Sequence, residues 1–77
     1  MTNLPPHRAR AAKTQQAILD YIRSVSDAPP YYPTLSEIQR ALGFKHRSNV
    51  EYHVKQLEQQ GKIKVLPYLP RGIRLSA

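Results

Sequence analysis

A chain of 77 residues with 12 Lys+Arg against 5 Asp+Glu carries a formal net charge of +7 and no cysteine. That length supports one small domain, which buries only roughly 60–65% of its unfolded surface, and the missing cysteines exclude a disulfide staple and a zinc-finger ligand set. The charge exceeds what solubility needs and favours a polyanionic partner, nucleic acid first.

Residues 1–12 are interrupted by Pro5 and Pro6 and carry Arg8 and Arg10 without apolar periodicity. They read as a flexible basic arm or the fraying start of a helix, ahead of a single domain over 13–77. The arm arginines either reach phosphate or stay solvated. The start lacks the apolar core of a signal peptide, and no apolar run approaches the ~18 residues of a membrane span, so a cytoplasmic protein is expected.

From about Lys13, Ile18, Tyr21, Ile22 and Val25 recur at helical spacing, and Pro29 and Pro30 forbid continuation. Residues 28–33 form an extended connector in which Tyr31 and Tyr32 are expected to pack onto the domain rather than stack on bases. Thr34-Leu35-Ser36-Glu37 has the form of a capping box, which starts a second helix with Leu35, Ile38, Ala41 and Leu42 on its apolar face. Gly43 can take the left-handed conformation that ends it, and Phe44 can pack just beyond.

Lys45-His46-Arg47 make the turn into a third helix over about 47–60. Ser48 and Glu51 offer a second possible capping box, although the helix can begin a residue or two earlier. Val50, Val54 and Leu57 form one stripe, and Ser48, Tyr52, Lys55, Gln56 and Gln59 point away from it. After Gly61, residues 62–66 and 71–75 read as two basic strands. Ile63, Val65, Ile73 and Leu75 cap the core on one face, while Lys62, Lys64 and Arg74 lie elsewhere. Gly72 permits a backbone bend or a close approach. The fold class expected is mostly α with a small β-hairpin, a three-helix winged helix-turn-helix.

Nothing in the sequence calls for a cofactor or a small-molecule ligand. His46 and His53 have no cysteine and few carboxylates about them, the serines lack a credible base, and there is no phosphate-binding glycine loop, so no metal site or enzyme is expected. His53 reads as a half-buried, hydrogen-bonded histidine beside the apolar stripe.

Residues 33–75 resemble the N-terminal DNA-binding domain of LexA-type repressors. The resemblance is carried by Pro33-Thr34 with Glu37-Ile38, by Leu42-Gly43-Phe44, by Glu51, His53, Lys55 and Leu57, by Gly61 with Ile63, and above all by Arg71-Gly72-Ile73-Arg74-Leu75. It implies a winged helix-turn-helix repressor of DNA-damage (SOS) genes in bacteria or phage. The third helix reads the major groove of double-stranded DNA, and the wing over 62–75 lies on the flanking backbone or minor groove.

The family's base-contacting positions correspond to His46, Ser48, Asn49, Glu51 and Tyr52, of which Glu51 alone matches the contact-type residues of the family. Asn49 can pair bidentately with adenine, Glu51 can accept from a cytosine amino group, His46 can donate to guanine N7, and Tyr52 can meet a phosphate or a thymine methyl. A different operator is therefore expected. Lys45, Arg47, Lys55, Lys62, Lys64, Arg71 and Arg74 are the candidates for phosphate contact, with the hairpin cations alternatively serving as gatekeepers of an exposed edge.

LexA-type proteins also carry a self-cleaving, dimerising protease domain, which residues 1–77 do not include, so two copies side by side on a palindromic operator are expected for tight binding. The alternative is a winged-helix module that uses the same helix face to bind protein. The polar character of that face favours DNA.

Overall fold

Three helices and one hairpin form in the order expected: α1 (Pro6–Val25), α2 (Leu35–Leu42), α3 (Arg47–Gln59), β1 (Ile63–Val65) and β2 (Ile73–Leu75). The computed structural model describes the backbone of residues 6–76 and the side chains of residues 11–76.

The first boundary differs from the expectation. α1 starts at Pro6, not near Lys13, so for residues 6–12 the helix-start reading holds and not the arm. Proline suits the first helical turn, where its missing N–H has no intrahelical partner, and Ala9, Ala11 and Ala12 favour helix without marking an apolar stripe. Residues 1–5, the rest of the expected arm, and the side chains of Arg8 and Arg10 lie outside the described residues.

α2 is bounded by the two local signals read from its sequence. The Glu37 N–H donates to Thr34 Oγ1 at 3.1 Å and the Thr34 N–H donates to Glu37 Oε1 at 2.9 Å, closing the capping box. Gly43 ends the helix in the left-handed region at φ 73°, where a side chain would be strained. α3 begins at Arg47, and its N-cap is His46, which makes no side-chain cap bond. The second capping box therefore does not form.

Each helix contributes a stripe to one core: Ile18, Leu19 and Ile22 from α1, Ile38 from α2, and Val50, Val54 and Leu57 from α3. Ile63 and Ile73 cap it from the hairpin, and Phe44 packs against it from the turn. Ala41, expected on the apolar face of α2, is exposed, and Leu19, absent from the expected stripe, is buried. Burying such a side chain contributes ~1.5–3 kcal/mol, so no element of this size is stable alone and the assembly orients α3 and the hairpin together.

The hairpin is antiparallel with Ile63 opposite Leu75, Lys64 opposite Arg74 and Val65 opposite Ile73. At its neck the Leu66 N–H donates to the Gly72 carbonyl at 2.9 Å. A Cβ on Gly72 would collide with the Leu66 carbonyl, which explains the glycine by close approach.

Candidate nucleic-acid interface

α3 is held so that one face is wholly interior and the other wholly free. Val50, Val54 and Leu57 are buried, and Ser48, Tyr52, Lys55 and Gln59 are exposed on the opposite side of the helix. Asn49 lies on the flank nearer α1 and Glu51 on the other flank, as a rotation of about 100° per residue requires. His46 and Lys45 are exposed at the entrance to the helix. The five expected base-reading residues thus share one accessible end of α3. With no acidic residue in the first turn and no side-chain cap, that end leaves backbone donors and positive dipole toward an anion.

Two side chains at this end are already oriented by neighbours. Arg47 Nε lies 3.5 Å from Glu51 Oε1, with both side chains more than half exposed. The pair is worth little as an exposed ion pair, yet it offsets the one acid on this part of the surface. Tyr52 is set edge-on to His53, with ring centroids 5.2 Å apart.

His53 is half-buried between α3 and α1, where Gln15 Nε2 stands 3.2 Å from its Nδ1, and Gln60 Nε2 donates in turn to Gln15 Oε1 at 3.3 Å. Burial lowers the His53 pKa from its ordinary value, so at neutral pH the ring is uncharged and can accept at Nδ1 from the Gln15 amide. This Gln60–Gln15–His53 chain ties α3 to the first helix beneath Tyr52. The sequence reading expected the hydrogen-bonded histidine but not its partner, which is distant in the chain. Gln56, expected to point outward, is half-buried in the same cleft.

The hairpin cations divide into two kinds. Lys62 and Lys64 are exposed and remain available to phosphate. Arg71 and Arg74, both expected among the phosphate contacts, each have a partner within the domain. Arg71 Nη1 donates to Glu37 Oε1 and to the Tyr32 carbonyl, and Nη2 donates to Glu37 Oε2. The Arg71 bonds, reinforced by the Thr34 N–H, lower the Glu37 pKa to about 2. Arg74 lies over the Tyr32 ring with its guanidinium carbon 4.3 Å from the centroid, an arrangement in which the aromatic face stabilises the cation. Tyr32 therefore packs on the domain, as expected of the connector, whereas Tyr31, expected to do the same, is exposed.

The wing and α3 share one cleft. Arg47, at the first position of α3, faces Val65, Leu66, Leu69 and Gly72 of the hairpin across a cavity of about 450 Å³. Lys55 on α3 and Lys62 and Lys64 at the start of the hairpin are exposed as well. Sequence reasoning missed the wing tip itself, where Tyr68 is 76% exposed and Leu69 39% exposed. Pro67 and Pro70 bracket them.

The family model described as the LexA DNA binding domain matches residues 4–72. Among similar proteins, LexA repressor 2 of Xanthomonas oryzae pv. oryzae is 48% identical over 63 residues, 82% of this chain and 30% of that protein. The LexA repressor of Xylella fastidiosa strain M23 is 48% identical over 61 residues, 79% of this chain and 29% of its own length. The LexA repressor of Hahella chejuensis is 38% identical over 68 residues, 88% of this chain and 34% of that protein. The chain thus spans about a third of the length of these relatives. A winged helix-turn-helix with a polar third helix, matched from end to end of its helices, leaves one assignment: the chain belongs to the LexA DNA-binding domain family.

Proposed function

We propose that this domain binds double-stranded DNA sequence-specifically as the DNA-binding module of a transcriptional repressor, acting in the bacterial cytoplasm on the damage-response type of operator. The observation that carries the reading is the exposed polar end of α3, set opposite the buried Val50–Val54–Leu57 stripe and flanked by the exposed cations Lys45 and Arg47. In this reading α3 enters the major groove. His46, Ser48, Asn49, Glu51 and Tyr52 read base edges, and Lys45, Arg47, Lys55, Lys62 and Lys64 hold phosphates. Arg71 and Arg74 act indirectly, by fixing the wing that carries the lysines.

One module covers one half-site, so two copies on a palindrome give the tight complex. A winged helix used for protein binding calls for an apolar hot spot on α3. Ser48, Asn49, Lys55 and Gln59 are the opposite of that.

The test is selection from a randomised duplex pool at two salt concentrations. Recovery of a repeated half-site with steep salt dependence supports the reading. Retention without a motif removes base readout from it, and failure to retain DNA at low salt removes DNA altogether.

A further inference from the structure

One side chain of α1 reaches two places on α3. The Gln15 amide stands 3.2 Å from His53 Nδ1 in the middle of α3 and 3.3 Å from the Gln60 amide at its end. Because Gln15 Oε1 accepts from Gln60, its Nε2 is the atom that faces the imidazole, which gives the bond a direction. Among the described residues lining this cleft, only Tyr52, His53 and Lys62 carry titratable groups. No carboxylate there competes with the Gln15 amide for the ring.

That bond decides how a ring is turned. The terminal torsion of histidine is broad and roughly two-fold, so an untethered imidazole turns over between two orientations. Here the His53 ring meets Phe44, with centroids 6.1 Å apart and planes tilted by 43°, and Tyr52, with centroids 5.2 Å apart and planes at 72°. Phe44 is itself packed on the core. With the Phe44 contact and the Gln15 bond both made, the imidazole keeps one orientation and Tyr52 meets a fixed partner.

Tyr52 is drawn toward that partner. Consecutive side chains on a helix diverge by about 100° and do not ordinarily face each other, yet Tyr52 lies edge-on to the residue that follows it and lines the same cleft as Gln15. Its side of the contact is otherwise open, with Tyr52 58% exposed. A phenol discriminates by where its ring edge and hydroxyl fall against a base edge, so its direction carries its specificity.

Resting on the reading of Tyr52 as a base-reading residue, we propose that Gln15 is a specificity-determining residue: acting through His53, it fixes the direction of Tyr52 and so selects the base that Tyr52 meets. Gln15 is a positioning residue whose amide is engaged within the domain. A residue of α1 thereby governs one position of the half-site from behind the reading helix.

The test compares wild type, Tyr52→Ala, Gln15→Leu and the double variant on the duplex recovered from the randomised pool and on its single-base changes, with thermal midpoints measured alongside. Tyr52→Ala marks the position that the phenol reads. Gln15→Leu keeps bulk in the cleft and forms no hydrogen bond. It narrows the preference at that same position roughly 2- to 10-fold, the lower range of coupling within one network, and leaves the other positions unchanged. Added to Tyr52→Ala, it has no further effect on preference. Gln15→Glu offers a carboxylate oxygen to the same nitrogen, so it retains the preference as a ratio between bases. It also moves the His53 titration, followed by proton NMR, to higher pH, since a neighbouring anion favours the imidazolium.

A loss of affinity in Gln15→Leu that is equal for every base change, or a loss of preference that adds fully to that of Tyr52→Ala, overturns the inference and leaves the DNA-binding reading intact. So does a Tyr52→Ala motif identical to that of wild type, because no phenol reading is then left to position. Preference lost in Gln15→Glu despite a raised His53 titration overturns it as well. Should Gln15→Leu not fold, Gln15→Ala is read by the same criteria. Failure of the wild-type chain to bind any duplex overturns both the inference and the DNA-binding reading.

Discussion

Arg71, beside the turn of the wing, places Nη1 2.6 Å and Nη2 2.9 Å from the two carboxylate oxygens of Glu37, a residue of α2 whose backbone and side chain also close the Thr34 capping box. One carboxylate thus starts the helix of the helix-turn-helix and holds the wing to it. The angle between α3 and the hairpin depends on this fork, because a bidentate guanidinium–carboxylate pair fixes direction as well as distance.

The pairing makes stability sensitive to acid. The folded pKa of Glu37, about 2, lies below its ordinary value of 4.5, so its stabilisation is fully present above pH 4.5 and is lost as pH falls from there toward about 2. Urea midpoints for wild type and Glu37→Gln should differ at neutral pH and converge through that window. A difference that stays constant down to the acid end would show that the charge on Glu37 does not hold the wing.

Two cations of the same hairpin should behave differently in salt. Lys64→Ala removes a free cation and is expected to lower the slope of log affinity against log salt by ~0.9. Arg71→Ala releases the wing rather than a phosphate, so affinity and thermal midpoint both fall while the slope holds. Measuring slope and midpoint on the same two variants checks this; equal loss of slope in both would return Arg71 to the phosphate contacts.

Local signals account for what could be read in the sequence. Thr34 and Glu37 are three residues apart, Gly43 carries its own conformational reason, and Val50, Val54 and Leu57 repeat at the helical period; all appear in the structure as the spacing requires. The start of α1 was obscured because its alanines promote helix without marking a face. Arg71 and Arg74 looked like two more basic residues on an exposed strand, since their partners Glu37 and Tyr32 lie far away in the chain and only the folded hairpin brings them together. The candidate base-reading residues came from the resemblance to the LexA-type domain, the period of α3 alone placing only Ser48 and Tyr52 of them on the outward face, whereas the tethering of His53 to Gln15 depends on helix packing that no local pattern encodes.

The core leaves little room for truncation. Leu57 is 0% exposed where α3 meets the other elements, and Leu57→Ala should cost ~2–5 kcal/mol, a large share of the ~5–15 kcal/mol typical of a folded domain. Denaturant unfolding measures it directly. Loss of DNA binding in this variant should follow the unfolded fraction, and restoration at lower temperature or with a stabilising osmolyte should bring binding back.

Asn49 offers the sharpest separation of reading from holding. Its side chain is exposed at the entrance to α3, and as an uncharged amide it releases no counterion when it meets DNA. If it pairs with an adenine edge, Asn49→Ala should remove ~1–3 kcal/mol of discrimination at one base position and leave the thermal midpoint and the salt slope unchanged. Gln59→Ala, on the exposed face but at the far end of the helix, should leave the recovered motif intact. Selection and sequencing with the two variants in parallel decides the matter: a motif that loses one position with Asn49→Ala and none with Gln59→Ala places base reading at the first turns of α3, and an unchanged motif with both moves it elsewhere on the domain.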